Sequence, residues 1–225
     1  SSDLCLNEMW VRNRTTKTNG VSYILQKGGV VYGATMAHDD STLQCKHIRI
    51  ECMDELPLLQ GSKYVQSRTD GIYVKVNEDL KNGKLVLFSG TSCQIASLKR
   101  FVSSQDQLYT VDIVCHGVPK DPLFRDYISY LGKKNHYQIT DMSFRSKGIY
   151  KWGKENLFML SLQVNDKNNN RATKRIPSNK SSYYTLFLNK AGYRDSCYNC
   201  AYAKLQKPGD ITLGDFSPRK NEIKS

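Results

Sequence analysis

Cys197 and Cys200 stand in the stretch R-D-S-C-Y-N-C-A-Y-A (194–203), a C-x-x-C pair among tyrosines. Thiols at that spacing serve one of three chemistries: a dithiol–disulfide couple, half of a zinc site, or two ligands of an iron–sulfur cluster. Two thiols leave a four-coordinate site half filled, so further ligands must come from elsewhere in the chain. Cys93 lies in S-G-T-S-C-Q, between a short apolar strand and the start of a predicted helix, and Cys115 lies in D-I-V-C-H-G-V-P, at the end of the next strand. In an open parallel sheet the carboxyl ends of adjacent strands share one rim, and ligands collect there. A helix N-terminus also favours thiolate charge. Four thiolates from three loops are enough for one [4Fe–4S] cluster, and they also suit tetrahedral zinc. The plainer alternative is that Cys93 and Cys115 are core residues, because cysteine is among the most buried residue types. Cys5, Cys45 and Cys52 lack such a setting, and Cys45 and Cys52, which bracket a strand, read as structural.

The elements that must position these thiols follow from periodicity. Residues 1–20 show no clear period, and T-T-K-T-N-G reads as loop. V-S-Y-I-L-Q-K-G-G reads as the end of a helix stopped by Gly28 and Gly29. V-V-Y-G-A-T-M and H-I-R-I-E-C read as strands, and E-L-P-L-L-Q-G-S-K-Y-V-Q-S as a loop with a short helical turn. Ile72, Val76 and Leu80 mark one helical face, ended by Gly83. L-V-L-F-S-G is a short apolar strand of the kind buried on both faces. The helix after it turns Ile95, Leu98 and either Phe101 or Val102 inward, and L-Y-T-V-D-I-V-C-H-G is the next strand. Asp121 and Pro122 look like an N-cap and N1 pair, opening a helix with the face Leu123, Phe124, Tyr127, Ile128 and Leu131. Beyond Asn135, I-T-D-M-S-F-R and L-F-M-L-S-L-Q-V read as strands separated by the turn-rich S-K-G-I-Y-K-W-G-K, and D-K-N-N-N-R as a hairpin loop. S-S-Y-Y-T-L-F-L-N-K-A-G reads as a helix ended by Gly192, and I-T-L-G-D-F as a last strand. The expected fold is α/β: a mixed, partly parallel sheet flanked by helices, then a smaller antiparallel strand region and a cysteine-containing loop. The expected parts are an irregular segment 1–20, an α/β part 21–135 that carries Cys93 and Cys115, and a β-rich part 136–225 with the C-x-x-C loop, packed as one composite domain.

Bulk composition narrows the function classes. The 225 residues are 39% hydrophobic and 24% charged, an ordinary globular balance. No apolar run approaches the ~20 residues of a membrane helix. No basic-then-apolar signal pattern opens the chain, and seven well-separated cysteines do not suit a secreted disulfide framework, so a reducing, cytoplasmic setting is expected. The net charge of +12 suits an anionic cofactor or an acidic partner. Nucleic acid is not favoured, since the lysines are scattered and no nucleic-acid-binding pattern occurs.

Five strings occur in order: G-S-K-Y-V-Q-S, V-L-F-S-G-T-S-C-Q-I-A-S-L-K-R-F, Y-T-V-D-I-V-C-H-G-V-P, S-F-R-S-K-G, and S-C-Y-N-C-A-Y-A followed by G-D-I-T-L-G-D-F. Together, over roughly Lys27 to Phe216, they resemble the beta-subunit family of coenzyme F420 hydrogenases and dehydrogenases. The resemblance implies an iron–sulfur flavoprotein. Such a protein binds FAD and a [4Fe–4S] cluster and moves electrons between a ferredoxin-type protein or partner redox subunit and a small organic acceptor, in some members deazaflavin coenzyme F420.

Carried onto this chain, the family's cysteine positions fall on Cys93, Cys115, Cys197 and Cys200. The implied flavin contacts are Gly61, Ser62, Lys63, Tyr64 and Gln66 in one loop, and Ser89, Gly90 and Thr91 in a strand-to-helix turn. A Gly-Ser turn supplies N–H donors and Lys63 a counter-charge for a pyrophosphate, against the commoner fates of a simple turn and a solvated lysine. His116 and Lys147 are weak catalytic candidates, for proton relay and for facing the acceptor; Arg145 and Trp152 share the second role, and an ordinary hairpin surface is the alternative. Ser92 stands where the family usually has Pro, and Ser217 where it has Trp. The family's N-terminal ferredoxin module and Ser-Ser-Gly-Gly loop have no counterpart, and the chain stops nine residues after Phe216. These departures read as a truncated or degenerate member, and the alternative they raise is a non-catalytic or zinc-stabilised α/β binding module.

Overall fold

The computed structural model describes residues 14–39, 42–152 and 155–214. Helix α1 (Arg14–Gln26) leads into β1 (Val30–Asp39) and β2 (Thr42–Ile50). A 3-10 turn and α2 (Leu56–Leu59) are followed by α3 (Ile72–Lys81), β3 (Val86–Thr91), α4 (Ser92–Phe101), β4 (Leu108–Ile113) and α5 (Asp121–Asn135). Next come β5 (Gln138–Trp152), β6 (Glu155–Asn165), β7 (Arg171–Pro177), α6 (Ser182–Leu188), α7 (Asp195–Tyr198) and β8 (Ile211–Leu213).

Five strands form a mixed sheet in the order β2-β1-β3-β4-β8. β1 and β2 are antiparallel, whereas β3 runs parallel to β1, β4 to β3 and β8 to β4. The apolar run of β3 explains its central place. Val86 and Phe88 pack with Ile72 and Val76 of α3 and Ile95 and Leu98 of α4. Leu87, pointing the other way, packs with Ile24 of α1 and Leu59 of α2. Alternate residues of one strand therefore feed two helical layers, as the period of two requires.

The second sheet, β5-β6-β7, is antiparallel. Its buried face meets α5 and α6 in an aromatic cluster that includes Phe124, Tyr127, Phe144, Tyr183, Tyr184 and Phe187. Leu43 and Cys45 of β2 belong to the same cluster, so the packing crosses from one sheet to the other. The buried polar ends of these rings are satisfied: Tyr127 Oη pairs with Ser181 Oγ at 2.9 Å, and Tyr184 Oη donates to the Phe144 carbonyl.

Several boundaries differ from the sequence expectation. T-T-K-T-N-G is helical rather than loop, because α1 starts at Arg14 and is docked by buried Val21, Ile24 and Leu25. S-K-G-I-Y-K-W is not a turn. β5 runs through it, and two register shifts, between Ser143 and Ser146 and between Ser146 and Tyr150, absorb its extra residues. R-A-T-K-R-I-P forms a third strand that the expectation lacks, because five of its seven residues are exposed and no apolar alternation marks it. α5 starts one residue early: Lys120 is the extended residue at its N-cap position, and Asp121, already helical, pairs with Arg125 at 3.0 Å instead of capping. Val102, not Phe101, completes the inner face of α4. Asp215, Phe216 and Ser217, like Cys5, lie outside the described residues.

Candidate functional site

Cys93 and Cys115 reach a common rim by strand pairing. Thr91 ends β3 directly opposite Ile113 at the end of β4, and each cysteine lies two residues beyond its strand end. Cys93 sits in the first turn of α4. Thr91 caps this helix in a capping box with Gln94, whose Oε1 accepts from Thr91 N at 3.0 Å and from Thr91 Oγ1 at 3.1 Å. Thr91 Oγ1 also lies 3.1 Å from Cys93 Sγ.

The C-x-x-C loop is tied to the segment after Cys115. Pro119 and Tyr193 form an isolated antiparallel bridge, Arg194 N donates to Val118 O at 3.0 Å, and Lys120 N donates to Gly192 O at 3.0 Å. Lys120 Nζ pairs with Asp195 at 2.8 Å at the start of α7, which carries Cys197. Below this seam, Tyr193 Oη donates to Phe187 O at 2.8 Å, so it receives the Nδ1–H of His116 at 2.9 Å. Burial pushes the Tyr193 hydroxyl up to about 12, which keeps that proton in place. Gly117 adopts φ +124°, and a Cβ there would overlap the Tyr193 ring.

The four thiols share one neighbourhood. Burial raises the Cys115 thiol, the Gly117 N–H bond to its sulfur at 3.4 Å works the other way, and Cys93, Cys197 and Cys200 each raise it further by like-charge repulsion. None of the described cysteines is in a disulfide. The thiols are gathered but not closed: among the described residues no three His, Cys, Asp or Glu side chains stand in metal-holding geometry. As a donor set, four thiols without a carboxylate suit an iron–sulfur cluster or zinc.

The second group of candidates flanks this rim. Gly61 has φ +83° with open space where a Cβ would stand. Lys63 Nζ donates to Gln60 O at 2.7 Å. Tyr64 turns inward, its ring 4.9 Å from that of Phe187, and is part of the aromatic cluster. Ser62 and Gln66 are half-buried. Gly90 is packed so closely that a Cβ would lie 3.0 Å from Gln94 Oε1 and 3.1 Å from Phe88. The loop and the turn are joined by two residues that sequence reasoning misses. His47 bridges Ser67 Oγ (2.7 Å) and Ser89 O (2.9 Å), and Gln94 Nε2 donates to Ser67 O at 3.1 Å. A bridging histidine leaves no spacing signature; the capping-box pattern T-x-x-Q is the one hint for Gln94.

Two carboxylates brace the rim from beneath. Asp112 is fully buried; its Oδ2 accepts from Ser92 Oγ at 3.1 Å and Gly209 N at 3.2 Å, and its Oδ1 has no hydrogen-bond partner among the described residues. Asp210 accepts from Thr110 N and Oγ1, each at 2.7 Å, and from Lys99 at 2.8 Å. Burial pushes the Asp210 carboxyl up, but these partners outweigh it and hold it below the usual range. Arg145 lies over the Phe158 ring at 4.2 Å, away from the thiols in sequence and on the second sheet. Lys147 and Trp152 belong to β5, with side chains outside the described part. Two surface depressions, one lined by Thr140, Gln163 and Arg171 and the other by Lys133, His136 and Tyr137, include none of the candidate residues. No helix of the described residues is long and apolar enough to cross a membrane.

Comparison with known proteins adds the following. The family model for the C terminus of the beta subunit of coenzyme F420 hydrogenase/dehydrogenase matches residues 83–224. No curated protein matches the chain. Among solved structures, a chain of the F420-reducing [NiFe] hydrogenase complex from Methanosarcina barkeri, solved as a xenon derivative, is similar at 14% identity with a TM-score of 0.46. That match covers 84% of this chain and 60% of the other, so this chain spans less than two thirds of the protein it resembles.

Proposed function

The chain belongs to the family defined by the C-terminal part of the coenzyme F420 hydrogenase/dehydrogenase beta subunit, and we propose that it works as an electron-transfer oxidoreductase subunit with a [4Fe–4S] cluster and FAD. The observation that supports this most is the placement of Cys93 and Cys115 just beyond paired strand ends, with the loop of Cys197 and Cys200 tied to the segment after Cys115. These four would hold the cluster. Gly61, Ser62 and Lys63, with Ser89, Gly90 and Thr91, would meet the FAD phosphates and ring edge. When bound, FAD would supply two-electron chemistry towards the organic acceptor and the cluster one-electron chemistry.

The chain's own part is placement. The Gly117 N–H points at the Cys115 sulfur and favours its charged, ligating form. Half-burial of the thiols limits water at the centre. The 193–194 seam holds the C-x-x-C loop against the Cys115 loop. The donor in this reading is a ferredoxin-type protein or partner redox subunit, the acceptor is coenzyme F420 or a similar small molecule, and the setting is cytoplasmic.

Anaerobic reconstitution with iron, sulfide and FAD tests the assignment. The unaltered protein is expected to turn brown, with broad visible absorbance bleached by dithionite. The Cys197→Ser, Cys200→Ser double variant is expected to lose that absorbance while staying folded. A colourless protein holding one zinc per chain would favour a zinc-stapled binding module instead.

A further inference from the structure

The two loops assigned to the flavin come from separate parts of the sequence, 61–66 and 89–91, and something must fix their spacing before a ligand arrives. Backbone pairing does half of this. His47 N donates to Arg68 O at 2.8 Å and Arg68 N donates to Cys45 O at 2.9 Å, which lays the end of the first loop on β2. These bonds do not reach the turn between β3 and α4.

Side chains make that second connection, and all of it converges on Ser67. A carbonyl only accepts, so the contact of His47 Nε2 with Ser89 O places the proton on Nε2. On the other side of the ring, Nδ1 is hydrogen-bonded to the Ser67 hydroxyl at 2.7 Å. The ring lies flat on Phe88, at 5.0 Å between centroids and 6° between planes, and His47 is 3% exposed. Gln94 completes the clamp from α4: its Nε2 donates to Ser67 O while its Oε1 accepts from both Thr91 N and Thr91 Oγ1. Residue 67 is thereby tied to both ends of the 89–91 turn.

We infer that His47 and Gln94, acting through Ser67, are positioning residues that pre-assemble the two loops of the flavin site. The inference rests on the flavin reading given above. A site held in its bound geometry before binding loses less freedom when the ligand arrives, so the clamp acts on affinity without touching the ligand.

The test uses variants that each cut one tie. His47→Asn keeps a group near Nδ1 and drops the link to Ser89. His47→Gln keeps a group near Nε2 and drops the link to Ser67. Ser67→Ala removes the hydroxyl that meets His47 with little change in volume, keeps the backbone carbonyl that Gln94 holds, and serves if a His47 variant fails to fold. Two readouts are taken: amide hydrogen exchange of the flavin-free protein, and FAD affinity by fluorescence quenching. Each variant is expected to exchange the 61–67 amides faster, to leave the β3 and β4 amides unchanged, and to bind FAD about fivefold or more weakly, as the loss of one net hydrogen bond implies. Equal acceleration throughout the sheet would mean a merely structural role and overturn the inference. So would loosened loops with unchanged FAD affinity, or unchanged exchange. If the unaltered protein takes up no FAD, the flavin reading fails and the positioning role with it; the flavin-free exchange data distinguish that outcome from a clamp that does not hold.

Discussion

At the scale of single residues, the most demanding charge lies away from the thiols. Asp79 of α3 receives Arg49 Nε at 2.6 Å and Nη2 at 3.0 Å, and the Tyr32 hydroxyl at 2.6 Å, joining α3 to β2 and β1. Burial pushes the Asp79 carboxyl up, but its bonds to Arg49 and Tyr32 outweigh that and hold it below its ordinary value. A depressed carboxyl contributes stability above its unfolded pKa and loses it as the pH falls through the folded one. Asp79→Asn is therefore expected to cost about 3 kcal/mol near neutral pH, because it leaves Arg49 without its buried partner. In urea unfolding the gap between variant and parent should narrow in acid, where Asp79 of the parent is protonated too. A gap that stays constant with pH would contradict the assignment. Residues of this kind were not legible beforehand. Four cysteines could be singled out because metal chemistry uses few residue types, whereas His47 and Gln94 act through contacts 20 to 42 positions away in sequence.

At the scale of elements, the strands and helix that carry the first two thiols were legible because β3 opens on the apolar run Val86–Phe88, α4 follows at once, and β4 is rich in β-branched and aromatic residues. What was lost was lost for physical reasons. β5 hides its length behind bulges, β7 faces solvent, and α1 carries its buried residues, Val21, Ile24 and Leu25, only in its second half. The seam between residues 118–120 and 192–194 could not be foreseen either, being a single bridge between distant loops. Gly117 is its weak point. Gly117→Ala would place a methyl group in the Tyr193 ring at φ +124°, so the expected cost is about 2 kcal/mol or more. Gly28→Ala, at φ +73° in open space, should cost about 1 kcal/mol. Thermal unfolding compares the two, and equal losses would show that Tyr193 yields freely.

At the scale of the whole molecule, paired strand ends of the parallel sheet lead into Cys93 and Cys115, and the segment beyond the second sheet that carries Cys197 and Cys200 is tied to the loop after Cys115. The α/β class and the shared rim followed from the βαβ rhythm. The aromatic packing that runs from β2 through α5 and α6 into the second sheet did not, because no periodicity reports contacts between sheets. The central claim is that this assembly closes on one cluster beside one flavin. The most direct measurement is the iron, acid-labile sulfide and FAD content of anaerobically purified, folded protein. About four irons and four sulfides with about one FAD per chain are expected. Folded protein holding zinc, or holding neither iron nor flavin, would contradict it.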